Sequence, residues 1–183
     1  DIPPVDINVV TDEADNCSVP VVAFVSESSV GTCPQTVTRI YSVTDACGNS
    51  ITVNHVITVD DDIFPTATAP PPTMVQCVGN IPVVDINVVT GEADNCSVPV
   101  VAFVSESSVG TCPQTITRIY SVTDACGNTT NVNHVITVDD NIFPTASNPA
   151  PLTVDCIGDV PLADPKIVTD EADNCSVPVV AFV

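Results

Sequence analysis

The sequence predicts an all-β protein assembled from small repeated domains, and three observations carry that prediction. Val, Thr and Ile abound, Pro is frequent, Leu occurs only at Leu152 and Leu162, and no window has the apolar period of an amphipathic helix. The thirteen residues EADNCSVPVVAFV occur three times, at Glu13–Val25, Glu92–Val104 and Glu171–Val183, so that Cys17, Cys96 and Cys175 recur at a period of 79 residues. Within each period, short β-rich runs alternate with turn signals. Val5–Ala67 and Val84–Ala146 differ at six of 63 positions: Asp12/Gly91, Val37/Ile116, Ser50/Thr129, Ile51/Thr130, Thr52/Asn131 and Asp62/Asn141. That period is too long for a solenoid coil and suits one small domain per repeat.

The elements follow in order through the complete repeat. TMVQC reads as a short first strand. VVDINVVT alternates Val84, Ile86 and Val88 against Asp85 and Asn87, the pattern of a half-buried strand. VPVVAFVSES continues as a more apolar strand. QTITRIYSVTD sets Ile116, Arg118, Tyr120 and Val122 on one face, and DACGN then turns the chain, with Gly127 and Asn128 suited to positive φ. NVNHVITVD closes the domain, with His134 on the face of Val132, Ile136 and Val138. Short strands at this spacing in about 80 residues describe an immunoglobulin-like β-sandwich. The expected layout is a partial repeat over residues 1–64 that lacks its first strand, a complete one over 65–143 and the first half of a third over 144–183. The Pro-rich stretches Asp60–Thr73 and Asp139–Thr153 act as semi-rigid connectors in an extended array cut from a longer chain.

Charge narrows the function. Twenty-three acidic residues stand against Arg39, Arg118 and Lys166, for a formal charge of −20. Phosphate backbones and anionic membranes are repelled by such a surface, and no apolar run is long enough to span a bilayer. Nine cysteines without a Cys-x-x-Cys pair favour disulfides in an oxidising compartment over zinc. No serine, cysteine or carboxylate accompanies His55 or His134 as a triad or acid–base pair, so no catalytic residue is assigned. Arg39 and Arg118 are expected over Tyr41 and Tyr120 or paired with a local acid.

YSVTDACGN, with DNC upstream and VDDNIFPTA at the end, resembles the HYR (hyalin repeat) family and its bacterial HYR-like relatives. The resemblance spans the whole period and departs from the simplest HYR pattern in carrying four cysteines per repeat. It implies immunoglobulin-like domains in tandem extracellular arrays, secreted or at the cell surface, that serve adhesion or structure without enzymatic activity.

The sandwich topology implied in this way suggests disulfides Cys96–Cys126 and Cys77–Cys112, with Cys17–Cys47 as their equivalent in the first repeat. Cys33, Cys156 and Cys175 are then left without partners, unless strand exchange between chains joins Cys156 to Cys33. The same topology brings Asp60, Asp61 and Asp62 towards Glu92, Asp94, Asn95, Asp124 and Asn128, and Asp139, Asp140 and Asn141 towards Glu171, Asp173 and Asn174. Six to eight carboxylate and amide oxygens are what Ca²⁺ requires. DDNIFP is also loosely similar to the calcium-binding linkers of cadherin-type repeats. The bland alternative is a set of solvated acids that keep the chain soluble.

Asn16, Asn95 and Asn174 stand in NCS and Asn128 in NTT, which match the N-glycosylation pattern. Thr66, Thr68, Thr73, Ser147 and Thr153 have the composition of O-glycosylated stalks. These observations add up to a structural segment of a long extracellular fibre or adhesin stalk, with calcium at its joints and a glycan coat. Its partners are other repeats of the same chain or identical chains in a filament. The alternatives are a multivalent binding module for glycan or protein, or a non-catalytic spacer attached to a secreted enzyme. With three Lys/Arg residues, the folded chain is expected to resist trypsin.

Overall fold

The computed structural model describes residues 2–183, which form an all-β fold with five single-turn 3-10 helices. In the first repeat, β1 (Val21–Val30), β2 (Gln35–Thr44) and β3 (Ser50–Val59) make an antiparallel sheet in that order. In the second, β4 (Thr66–Thr68) and β6 (Thr90–Ala93) form a two-stranded sheet. The larger sheet has the order β5 (Thr73–Val75), β9 (Thr129–Val138), β8 (Gln114–Thr123) and β7 (Val100–Gly110).

The alternation in β8 is realised in full: Ile116, Arg118, Tyr120 and Val122 are all buried. β9 answers with Val132, His134, Ile136 and Val138 on its inner face. β5 lies parallel to β9, Thr73 opposite Ile136 and Val75 opposite Val138. Its Val75 packs against the cluster of Ile116, Ile136 and Val138, and the Thr73 hydroxyl lies 2.9 Å from His134 Nε2. Burial of His134, with the Arg118 charge as a smaller contribution, lowers its pKa from the usual 6.5.

Arg118 is 4% exposed and pairs with an acid rather than lying over the tyrosine. Its Nε donates to Glu106 Oε2 (2.6 Å) and its terminal nitrogens to the carbonyls of Pro82 (2.7 Å) and Val83 (3.3 Å). Arg39 does the same with Glu27, Pro3 and Pro4. Each buried guanidinium thus fastens the chain that opens its repeat to the sheet. Tyr41 and Tyr120 instead take Phe24 and Phe103 edge-on, with ring centroids 5.9 Å apart.

Two expected elements differ. VVDINVVT is not a strand: the Asp85 carboxylate accepts from the Asn87 amide at 2.9 Å and winds Ile86–Val88 into a 3-10 turn, as Asp6 and Asp164 do in their repeats. A local side-chain bond to the backbone outcompetes the alternation. The semi-rigid connector expected over Asp60–Thr73 differs in carrying a strand, because Thr66–Thr68 pairs as β4, and Pro65 and Pro70 are buried.

The cysteine pairing is also a correction. The bridges are Cys33–Cys126 and Cys77–Cys175, with Cα atoms 5.1 Å apart in each, and Cys17, Cys47, Cys96, Cys112 and Cys156 are unpaired. Cys96–Cys126, Cys77–Cys112 and Cys17–Cys47 do not form, and Cys33 and Cys175, expected to lack partners, have them; Cys33 is joined to Cys126 and not to Cys156. Pairing within one sandwich overlooked that the end of each repeat adjoins the loops of the next. The bridges close separations of 93 and 98 residues, each worth about 4–5 kcal/mol in the chain-entropy picture.

The chain divides into two compact units that cut across the sequence repeats. The first is Asp1–Ala67 with Gly91–Val100 and Val122–Thr130; the second is Thr68–Thr90, Val101–Ser121 and Asn131–Val183. The DNC loop and the β8–β9 turn of the second repeat therefore cluster with the first repeat.

Candidate functional site: the acidic joint

Three segments of the first unit build one acidic centre. Asp61 follows β3, Asp94 follows β6, and Asp124 opens the β8–β9 turn. Each offers a carboxylate oxygen, and the three oxygens lie within 4.8 Å of one another.

The local chemistry of each loop explains the placement. Asp124 is 7% exposed, and its Oδ1 accepts from the amides of Cys126 and Asn128, both at 2.8 Å. Its Oδ2 accepts from Asn128 Nδ2, which also donates to the Asp61 carbonyl, both at 2.8 Å. Asp94 Oδ2 gathers the amides of Cys96 and Ser97 at 3.0 Å, and these backbone bonds, the Cys96 amide foremost, hold its carboxyl below the usual range. Asp61 Oδ1 accepts from Asn95 Nδ2 at 3.2 Å. Ser97 Oγ accepts from the Ala125 amide at 3.1 Å and so latches the Asp94 loop to the Asp124 loop. In the sequence that serine stands out only as part of an NCS motif; its contact with a turn 28 residues away has no local signal.

Two oxygens are left over. Asp61 Oδ2 and Asp94 Oδ1 are buried without a hydrogen-bond partner. At an effective dielectric constant near 20, carboxylates this close repel by roughly 3–4 kcal/mol per pair. Neither Arg39, Arg118 nor Lys166 bonds to these three acids. A hard cation with oxygen ligands fits this donor set, and the amide and carbonyl oxygens beside it can complete the shell.

The second unit repeats part of the arrangement. Asp173 Oδ2 takes the amides of Cys175 (3.1 Å) and Ser176 (3.0 Å), with a lowered pKa led by the Cys175 amide. With its amide oriented to satisfy both faces, Asn174 donates to Asp140 Oδ1 at 3.2 Å, as Asn95 does to Asp61. Glu171 Oε2 is buried and unpartnered. Thr145 pairs with Ala172 where Thr66 meets Ala93 in the first unit.

Of the predicted metal set, then, Asp61, Asp94 and Asp124 converge with Asn95 and Asn128 alongside, and Asp140, Asp173 and Asn174 form the matching group. Asp60 and Asp62 point outward, Asp60 lying 3.7 Å from the Cys33 sulfur. Glu92 and Asp139 are half-buried outside the cluster, and Asn141 is exposed. Among the predicted glycan acceptors, Asn16 is exposed, whereas the amide nitrogens of Asn95 and Asn128 are engaged at the joint. Thr73 spends its hydroxyl on His134, while Thr66, Thr68, Ser147 and Thr153 are exposed.

Residues 65–138 match the family model described as the HYR-like domain with 4 cysteines. This chain carries an HYR-like domain. The four cysteines per repeat are therefore the pattern of this HYR-like type and not a departure from it. An HYR-like domain is an extracellular repeat module of adhesion type, and disulfides suit that environment. Among the described residues, no helix is long and apolar enough to cross a membrane. No curated protein and no solved structure matches the chain.

Proposed function

We propose that the chain is a non-enzymatic structural segment of a secreted or surface-attached fibre or adhesin stalk, whose HYR-like repeats are stiffened at their joints by Ca²⁺. The observation that carries this reading is the convergence of Asp61, Asp94 and Asp124 from three segments, with two buried oxygens unpartnered. A surface patch of acids has no reason to bury unpaired carboxylate oxygens; a divalent cation relieves both their repulsion and their missing bonds. The reading extends to an O-linked glycan coat on Thr66, Thr68, Ser147 and Thr153, and to other repeats or identical chains as partners.

Calorimetric titration with Ca²⁺ tests it. The expected dissociation constant is about 10⁻⁴–10⁻³ M, and ten millimolar Ca²⁺ then stabilises the fold by roughly 1.5–2.7 kcal/mol. Asp124→Asn and Asp61→Asn should abolish the heat and the shift in melting temperature. Absence of heat at millimolar Ca²⁺ would refute the calcium joint.

A further inference from the structure

The pairing of the cysteines carries an inference about those that remain unpaired. Each observed bridge joins one repeat to the next. Cys33 precedes β2 in the first repeat and bonds the β8–β9 turn of the second; Cys77 follows β5 in the second and bonds the DNC loop of the third. Translating each bridge by one 79-residue period predicts a second bridge at each joint. Cys96 in the DNC loop takes the place of Cys175, and Cys112 ahead of β8 takes the place of Cys33. Their partners fall at repeat positions outside residues 1–183. So do those of Cys17, Cys47 and Cys156, so one rule covers all nine cysteines.

The unpaired cysteines already stand where the rule requires. The Cys96 amide donates to Asp94 Oδ2 at 3.0 Å, and that of bridged Cys175 to Asp173 Oδ2 at 3.1 Å. Cys112 Sγ lies 3.9 Å from the Asp140 carbonyl, and bridged Cys33 Sγ 3.7 Å from Asp60, each at the acidic end of its own repeat. The strand that would deliver a cysteine to Cys96 also has a place to lie. β5 occupies the edge of β9, whereas among the described residues the matching edge of β3 is unpaired.

We propose that consecutive repeats are joined by two disulfides at every joint. Cys96 receives the cysteine of a Thr73–Cys77-type strand from the adjoining repeat of the same polypeptide, laid along β3; Cys112 receives the turn cysteine of the repeat that follows. Cys33–Cys126 and Cys77–Cys175 each join consecutive repeats, and the adjoining repeat of the same polypeptide restates that relation one period away. The array is then continuous through sulfur as well as through its backbone, so a nick in one connector does not part it. This inference needs tandem repeats but not calcium.

The test uses the 183-residue chain and a peptide of residues 66–80, whose cysteine is presented as a mixed disulfide with glutathione. The Cys96 thiolate attacks the peptide sulfur, the peptide–glutathione bond breaks, and glutathione leaves as a thiol carrying the proton Cys96 lost. No other oxidant is required. Docking of the strand should direct the adduct to Cys96, roughly a hundredfold faster than a scrambled peptide, through effective concentration. Cys96→Ser, at an exposed and unbridged position, should abolish capture with the fold intact. Peptide spread evenly over the five thiols, or equal capture by Cys96→Ser, overturns the proposal. The reaction is run in chelator, so its failure is distinct from failure of the calcium reading.

Discussion

The first and second repeats are nearly the same sequence folded to different completeness. Tyr41 and Tyr120 are both fully buried, and Val37 and Ile116 occupy the same core position at 1% and 3% exposure. Their closing strands differ. Val132, His134, Ile136 and Val138 are buried in β9, while Val53, His55, Ile57 and Val59 of β3 are only half-buried. The positions are chemically identical at all four sites. What differs is β5, a three-residue strand that brings Val75 to the core beside β9 and has no counterpart on β3. A short parallel edge strand therefore decides whether a whole sheet face is core or half-exposed surface.

The largest expected effect tests that difference. Ile136→Ala should destabilise the chain by about 3–4 kcal/mol, as truncation of a fully buried residue does, and Ile57→Ala by about 1 kcal/mol. Denaturant melts of the two variants decide it; equal losses would mean that β5 does not set the burial.

A second substitution should be indifferent to repeat. Gly31 and Gly110 have φ of 82° and 84°, and a Cβ on either would sit 2.6 Å from the carbonyl oxygen of Pro34 or Pro113. Gly31→Ala and Gly110→Ala should each cost roughly 1–3 kcal/mol, because both the conformation and the contact are built within one hairpin. Unequal melting temperatures for the pair would show that the β1–β2 and β7–β8 turns depend on their surroundings after all.

The smallest effect is a pH dependence confined to the completed repeat. Since folding lowers the His134 pKa, the unfolded chain binds more protons at mildly acid pH. Stability from this group is therefore full above about pH 6.5, the unfolded value, and declines as the pH falls through the lowered folded value. Melts at pH 7 and pH 5 should separate, and His134→Gln should flatten that part of the profile. A wild-type slope that survives the substitution would assign it to another group.

Much of this was legible in the residues. Alternation along QTITRIYSV fixed the buried face of β8 because one hairpin strand carries its own period. The Asp-to-amide turns are not legible although their residues are adjacent, since DINV satisfies strand alternation and an Asx turn equally, and only the second satisfies the backbone locally. At position 12/91, Asp12 and Gly91 adopt φ of 65° and 68°, and the chain accepts either residue there. Asp61, Asp94 and Asp124 were named from the sequence as one cluster, but so were Asp60, Asp62 and Glu92. Nothing in a run of aspartates says which one turns inward.

The cysteines mark the boundary between the two kinds of information. Their number, period and oxidising setting follow from the chain as written, as do the all-β class and the inner faces of β8 and β9. Which cysteine meets which follows from the approach of one repeat's end to the next repeat's loops, bonds spanning 93 and 98 residues that leave no local trace. Short-range order is encoded by neighbours in sequence, and so it repeats with the period. Burial of β9, the carboxylate cluster and the disulfides each need groups that the backbone brings together from different repeats or distant loops, and only the folded chain chooses among near-identical candidates.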